Sequence, residues 1–209
     1  MRAALRDWGC AFPKAGYGSR FMRWMLSDTD APTGSLGNGS AMRASGCAWA
    51  ARSLSEALEL AALSALPTHN HPEGVAGAQA AVWLIYRLRE GADPEKLRRE
   101  WNDLWGQPLG ELPQLTALEA ARPIRTDLRC SATLPVAAAL VLGSSSYEET
   151  VRRAVALGGD CDTIAAIAGA AAEAAWGVPE ELRAKVDALL PIRLIESVFA
   201  VSAPKRMPA

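Results

Sequence analysis

The sequence contains little of what metal-built or disulfide-built domains are made from. Only two histidines and four cysteines occur in 209 residues. The cysteines, Cys10, Cys47, Cys130 and Cys161, are scattered and form no Cys-x-x-Cys pair, which argues against a zinc knuckle or a disulfide framework. A reducing cytoplasm is the simplest home for such a chain. Neither sign of charge dominates: 22 Lys and Arg against 23 Asp and Glu leave a net charge of −1. There is thus no global electrostatic footprint for nucleic acid or an anionic membrane, and neither is expected as a partner. The longest apolar run, Leu134 to Leu142 with Pro135 near its start, is far below membrane-spanning length. The first residues, Met1-Arg-Ala-Ala-Leu-Arg-Asp-Trp8, lack the apolar stretch of a signal peptide. No run alternates convincingly with period two, no heptads are sustained, and no internal repeat is visible.

What is present is a succession of helix signals around a half-hydrophobic composition, enough for one domain with a real core. The reading is a single all-α domain over 1–209, loose from about 202. Two short helical pieces fill Met1 to Leu26, separated by a turn around Gly16-Tyr17-Gly18. Ser53-Leu-Ser-Glu56 and Ser146-Tyr-Glu-Glu149 are capping boxes, and Asp93-Pro94-Glu95 is a helix opening with Asp as cap. Val75 to Leu88 is apolar enough to be a buried helix, and Ser131 to Leu142 a short core helix. Gln107 to Cys130, broken by three prolines, is the least regular section.

Three stretches stand apart from this scaffold. Gly34-Ser35-Leu36-Gly37-Asn38-Gly39-Ser40-Ala41-Met42-Arg43 packs three glycines into six residues before helix-forming ones. Such a loop lets backbone approach a ligand and can cradle a phosphate, although Asn-Gly is also an ordinary turn signal. Both histidines fall in Thr68-His69-Asn70-His71-Pro72, a helix break where they can face a ligand or simply cap. Gly158-Gly159-Asp160-Cys161-Asp162-Thr163 places two carboxylates and a hydroxyl at the start of a small-residue helix. They can hold a hard cation, or an Asp can act as a helix N-cap. Gly169 within that helix is expected to allow close packing against a neighbour.

Together with Gly16-Tyr17-Gly18 and the Glu73-Gly74, Gly77-Ala78 positions, these stretches resemble, in order, the ADP-ribosylglycohydrolase family, which includes dinitrogenase reductase-activating glycohydrolases and J-type crystallins. The resemblance spans about Trp8 to Phe199. It implies a compact orthogonal helical bundle and a hydrolase that removes ADP-ribose from a protein or small acceptor by cleaving a glycosidic bond. It implies two magnesium ions, with Asp160, Asp162 and Thr163 as ligands, Asp162 shared, and the two acids catalytic. Gly16, Gly34, Ser35, Gly37, Asn38, Gly39 and His69 would contact the ADP-ribose, while Leu36 stands where some relatives carry an aromatic ring.

The family's motifs also include a Gly-Asp pair and a Thr-Asp-Asp-Thr type sequence on the N-terminal side, and this sequence contains no Thr-Asp-Asp or Ser-Asp-Asp. Ser27-Asp28-Thr29-Asp30 follows the Gly-Tyr-Gly element, where the family has a variable loop, and reads as solvated. The expectation is a member shortened at its N-terminus, holding one magnesium ion or none by itself. Its exposed apolar face would favour self-association, and it would be either a hydrolase or a catalytically impaired protein that binds ADP-ribose or serves structurally.

Overall fold

A computed structural model describes residues 1–106, 109 and 127–202. Most of the proline-broken stretch expected from Gln107 lies outside these residues, as does the expected loose tail apart from Ser202, which ends the last helix. The helices are α1 (Arg2–Ala11), α2 (Ser19–Met25), α3 (Gly39–Met42), α4 (Ser45–Ala50), α5 (Leu54–Ala65), α6 (Pro72–Arg89), α7 (Pro94–Trp105), α8 (Cys130–Leu142), α9 (Tyr147–Ala156), α10 (Cys161–Trp176), α11 (Glu180–Asp187) and α12 (Ile192–Ser202). The fold is all-α; among the described residues the only β-type pairing is an isolated antiparallel bridge between Gly37 and Arg129. No helix in this set is long and apolar enough to cross a membrane.

Two helices make the centre. In α6 nearly every position from Ala80 to Leu88 is buried, as its unbroken apolar sequence requires. It packs against α5, α10, α3, α4 and α8. The second, α10, buries Ile164, Ile167, Ala168, Ala171 and Ala172, a stripe at helical spacing, against α9, α6 and α8. Small side chains permit the crowding: Ala57, Ala61 and Ala65, spaced by four, form a fully buried face on α5.

The caps follow the local chemistry. Ser53, Asp93 and Ser146 each accept a backbone N–H three residues on, at 3.2, 2.9 and 3.2 Å. The return arm of both boxes differs from the standard pattern. Glu56 accepts the N–H of Arg52 and Glu149 that of Ser145, each one residue before the cap. Helix α6 starts three residues earlier than its apolar run, at Pro72, because His71 caps it through Nδ1 (3.2 Å from the Glu73 N–H). After α7, Gly106 takes the left-handed conformation (φ 61°) that closes a helix.

Helices α1 and α2 form their own small cluster, in which Trp24 and Met25 are buried and the Arg6 guanidinium lies 4.9 Å over the Trp24 ring. Arg6 also holds the Ser27–Asp30 loop, through Asp30 Oδ1 at 3.1 Å and the carbonyls of Ser27 and Thr29. That loop is therefore engaged with α1. The Gly169 expectation is corrected: a methyl there would meet only Val151 Cγ2 at 3.5 Å, an ordinary contact. Close approach occurs instead at Gly77, where a Cβ would fall 2.3 Å from Cys130 Sγ, and at Gly74, 2.7 Å from the Ser35 carbonyl oxygen.

Candidate functional site

The glycine loop is fixed from three directions before it enters α3. The Ser35 N–H and the Thr33 hydroxyl both donate to the Thr68 carbonyl, at 3.2 and 2.6 Å, and the Gly34 N–H donates to Asn70 Oδ1 at 2.8 Å. The bridge to Arg129 adds the Asn38 N–H to the Leu128 carbonyl (2.7 Å) and the Cys130 N–H to the Leu36 carbonyl (3.2 Å). Behind the loop the Ser40 hydroxyl donates to the Gly74 carbonyl at 2.7 Å. A side chain at Gly74 would push on the Ser35 carbonyl, so the glycine there answers to a close backbone approach.

This pinning changes the phosphate-cradle expectation. The N–H groups of Gly34, Ser35, Gly37 and Asn38 all have partners inside the protein, that of Gly37 being the Ser35 Oγ at 3.2 Å. The loop offers shape and side chains, and these four of its N–H groups are occupied in this conformation.

Asn38 joins the loop to the acidic stretch. Its side chain is buried, and Nδ2 donates to Asp160 Oδ2 at 2.6 Å and to Thr133 Oγ1 at 2.9 Å. Two successive left-handed glycines, Gly158 (φ 67°) and Gly159 (φ 64°), turn the chain out of α9 just before Asp160. Asp160 occupies the N-cap position of α10, yet its side chain makes no cap hydrogen bond. Its Oδ1 accepts from the Thr163 hydroxyl at 3.2 Å. The capping explanation of this residue is thereby set aside. Asp162 is exposed in the first turn of α10, and its Oδ1 accepts the Thr163 N–H at 2.9 Å.

His69 borders the loop on either side of Asn38, at Gly37 and Gly39. It is 8% exposed, and its Nε2 lies 3.9 Å from where a Cβ would stand at Gly37 and 3.5 Å from that at Gly39. Burial, reinforced by the charges of Arg43 and Arg20, pushes its pKa down to about 4, so the ring is neutral at pH 7. Arg43 itself is lowered by burial to about 10 and keeps its charge. The two histidines thus divide their roles, His71 capping α6 and His69 facing the loop. Gly16 lies in the exposed turn between α1 and α2 with φ 77° and open space around it.

Residues to which the sequence assigned no role complete the constellation. Glu73 reaches across to the start of α8, where Oε1 accepts the Ser131 N–H at 2.9 Å; hydrogen bonds from Ser131 hold its carboxyl below the ordinary range. Thr133 supports Asn38, and Thr68 with Arg43 stands behind His69. Arg43, Thr68 and Glu73 belong to motifs already marked, whereas nothing near Thr133 in the sequence distinguishes it. Among the described residues no three His, Cys, Asp or Glu side chains converge as a metal cluster.

An all-helical domain with a pinned glycine loop, flanked at Gly37-Asn38-Gly39 by a histidine and by the first aspartate of an Asp-x-Asp turn, defines the class. The sequence model of the ADP-ribosylglycohydrolase family matches residues 1–206, and the chain belongs to that family. Among solved structures it is similar to one described as an ADP-ribosylglycohydrolase-related protein complex, with a TM-score of 0.65, 24% identity and 84% of this chain covered. The chain spans 64% of that relative's length, and the likeness speaks to the fold. No curated protein matches the chain.

Proposed function

We propose that this chain binds ADP-ribose, carried on a protein or a small acceptor, between the Gly34–Gly39 loop, His69 and the Asp160–Thr163 turn, and that it hydrolyses the glycosidic bond. The observation that carries this reading is Asn38, whose one amide ties the glycine loop to Asp160 at 2.6 Å. In the proposed reaction water adds to the anomeric carbon of the ribose and the acceptor departs with a proton.

Ser35 Oγ receives the Gly37 N–H, which leaves its own hydrogen for a ligand oxygen. Asp160 is held in orientation by Asn38 and Thr163, while exposed Asp162 has room to meet ligand or solvent.

Asp160, Asp162 and Thr163 are oxygen donors only, the chemistry that magnesium takes. Two carboxylates fit one partly hydrated ion, and with no third acid converging on them among the described residues the donor set is too small for a pair. Bound there, magnesium would polarise a ribose hydroxyl or a water.

The test is incubation with magnesium and an ADP-ribosylated protein, following free ADP-ribose. Release that falls at least about 100-fold in Asp162→Ala would support hydrolysis, the scale of removing one strongly engaged catalytic group. ADP-ribose binding without release would instead favour a binding protein, a second reading motivated by the two-acid donor set. Neither binding nor release would overturn both.

A further inference from the structure

A chain of polar contacts runs from α3 to the imidazole of His69. Arg43, just after α3, sends Nη2 to the Thr68 hydroxyl at 2.8 Å and to the Ser64 carbonyl at 2.9 Å. The Thr68 hydroxyl in turn lies 2.7 Å from Nδ1 of His69. A guanidinium only donates, so the Thr68 oxygen accepts from Arg43. Thr68 is 1% exposed and its hydroxyl makes no other hydrogen bond among the described residues, so there its single hydrogen has one destination, His69 Nδ1. The reverse arrangement, with Nδ1 donating, would leave that hydroxyl hydrogen buried without an acceptor, which is costly.

A ring nitrogen that accepts carries no hydrogen, so the proton of the neutral imidazole sits on Nε2. Nε2 is the atom that borders Gly37 and Gly39. With the N–H groups of Gly34, Ser35, Gly37 and Asn38 already paired, Nε2–H adds a donor beside a loop that has most of its own engaged.

We propose that Arg43 and Thr68 are positioning residues that fix His69 as a neutral Nε2–H donor facing the glycine loop, aimed at an oxygen of the bound ligand. The ligand part rests on the ADP-ribose reading above; the tautomer does not. Nitrogen NMR of histidine-labelled protein reads it directly in the free protein at neutral pH, with His71→Asn removing the other ring while retaining a capping side chain.

The expected signature for His69 is a protonated Nε2 and a bare Nδ1. Thr68→Val keeps the shape and removes the donor; it should lose that signature and weaken ADP-ribose binding about tenfold, one hydrogen bond's worth. Thr68→Ser should restore both. A wild-type spectrum with Nδ1 protonated overturns the proposal before any variant is made, and so does a Thr68→Val protein that folds and keeps the wild-type signature. If Thr68→Val does not fold, the wild-type spectrum still decides.

The ligand oxygen comes from the phosphates or from the distal ribose. Movement of the His69 signals by ADP would assign the phosphates, and movement by ADP-ribose alone the distal ribose. Bound ADP-ribose that moves neither nitrogen signal would overturn the donor role. Failure of ADP-ribose to bind at all would reject the binding site and the ligand-facing role, with the free-protein tautomer judged separately.

Discussion

A neutral histidine buried beside two arginines makes stability depend on pH in a window of its own. His69 has a pKa of about 4 in the fold against 6.5 for an ordinary imidazole. As pH falls from 6.5 toward 4, the unfolded chain takes up this proton before the folded one does. The stabilisation is therefore complete above the unfolded value and is lost on acidification through that interval. At about 1.4 kcal/mol per pH unit the loss reaches at most roughly 3 kcal/mol. Glu73 and Glu149, whose pKa values are lowered by hydrogen bonds from Ser131 and Ser145, lose their contributions lower, through and below the ordinary carboxylate range. Urea midpoints measured between about pH 7 and pH 4.5 should fall steadily in the wild type and flatten in His69→Gln. An equal slope in both proteins would show that the histidine is not held neutral by the fold.

At the scale of helices, the two glycines that look equivalent in sequence have opposite consequences. Gly77→Ala drives a methyl into Cys130, 2.3 Å from Sγ and 2.5 Å from Cβ, so α6 and α8 must separate. The expected loss is about 1–3 kcal/mol, the range for overpacking a tight contact. Gly169→Ala adds a methyl at ordinary distance and removes backbone freedom from the unfolded helix, so it should be neutral or stabilising by up to about 1 kcal/mol. Chemical denaturation of the two variants side by side checks the ordering, and a destabilised Gly169→Ala would contradict it. Helix starts were legible because capping is local: Ser53, Asp93 and Ser146 act within three residues of themselves. Glycine roles were not legible, because what a missing Cβ makes room for belongs to another helix. The early start of α6 was missed for a related reason, since the apolar pattern marks the buried face and Pro72 lies outside it.

Across the whole molecule, Asn38 bridges sequence separations of 95 and 122 residues with one amide group. Asn38→Ala removes both bonds and frees the glycine loop from Asp160 and Thr133, leaving the backbone bridge at Arg129 as its tie to α8. A loss of about 1–3 kcal/mol in urea denaturation is expected, with weaker ADP-ribose binding as the loop loses its tie to Asp160. Unchanged stability and binding together would make the tie incidental. Exposed large apolar side chains include Leu26 (70%), Leu189 (83%) and Ile192 (68%), spread over the end of α2 and the C-terminal helices.

The sequence by itself determined the all-α class, most helix starts, the family and the residue types at the candidate site. These depend on periodicity, capping and short motifs, each expressed within a few neighbouring positions. Only the tertiary structure decided that Asp160 turns away from capping toward Asn38, that four of the loop's N–H groups are occupied, and that Arg43 and Thr68 stand behind His69. Each of these depends on which donors and acceptors meet across separations of up to 122 residues, a matter settled by how the helices pack.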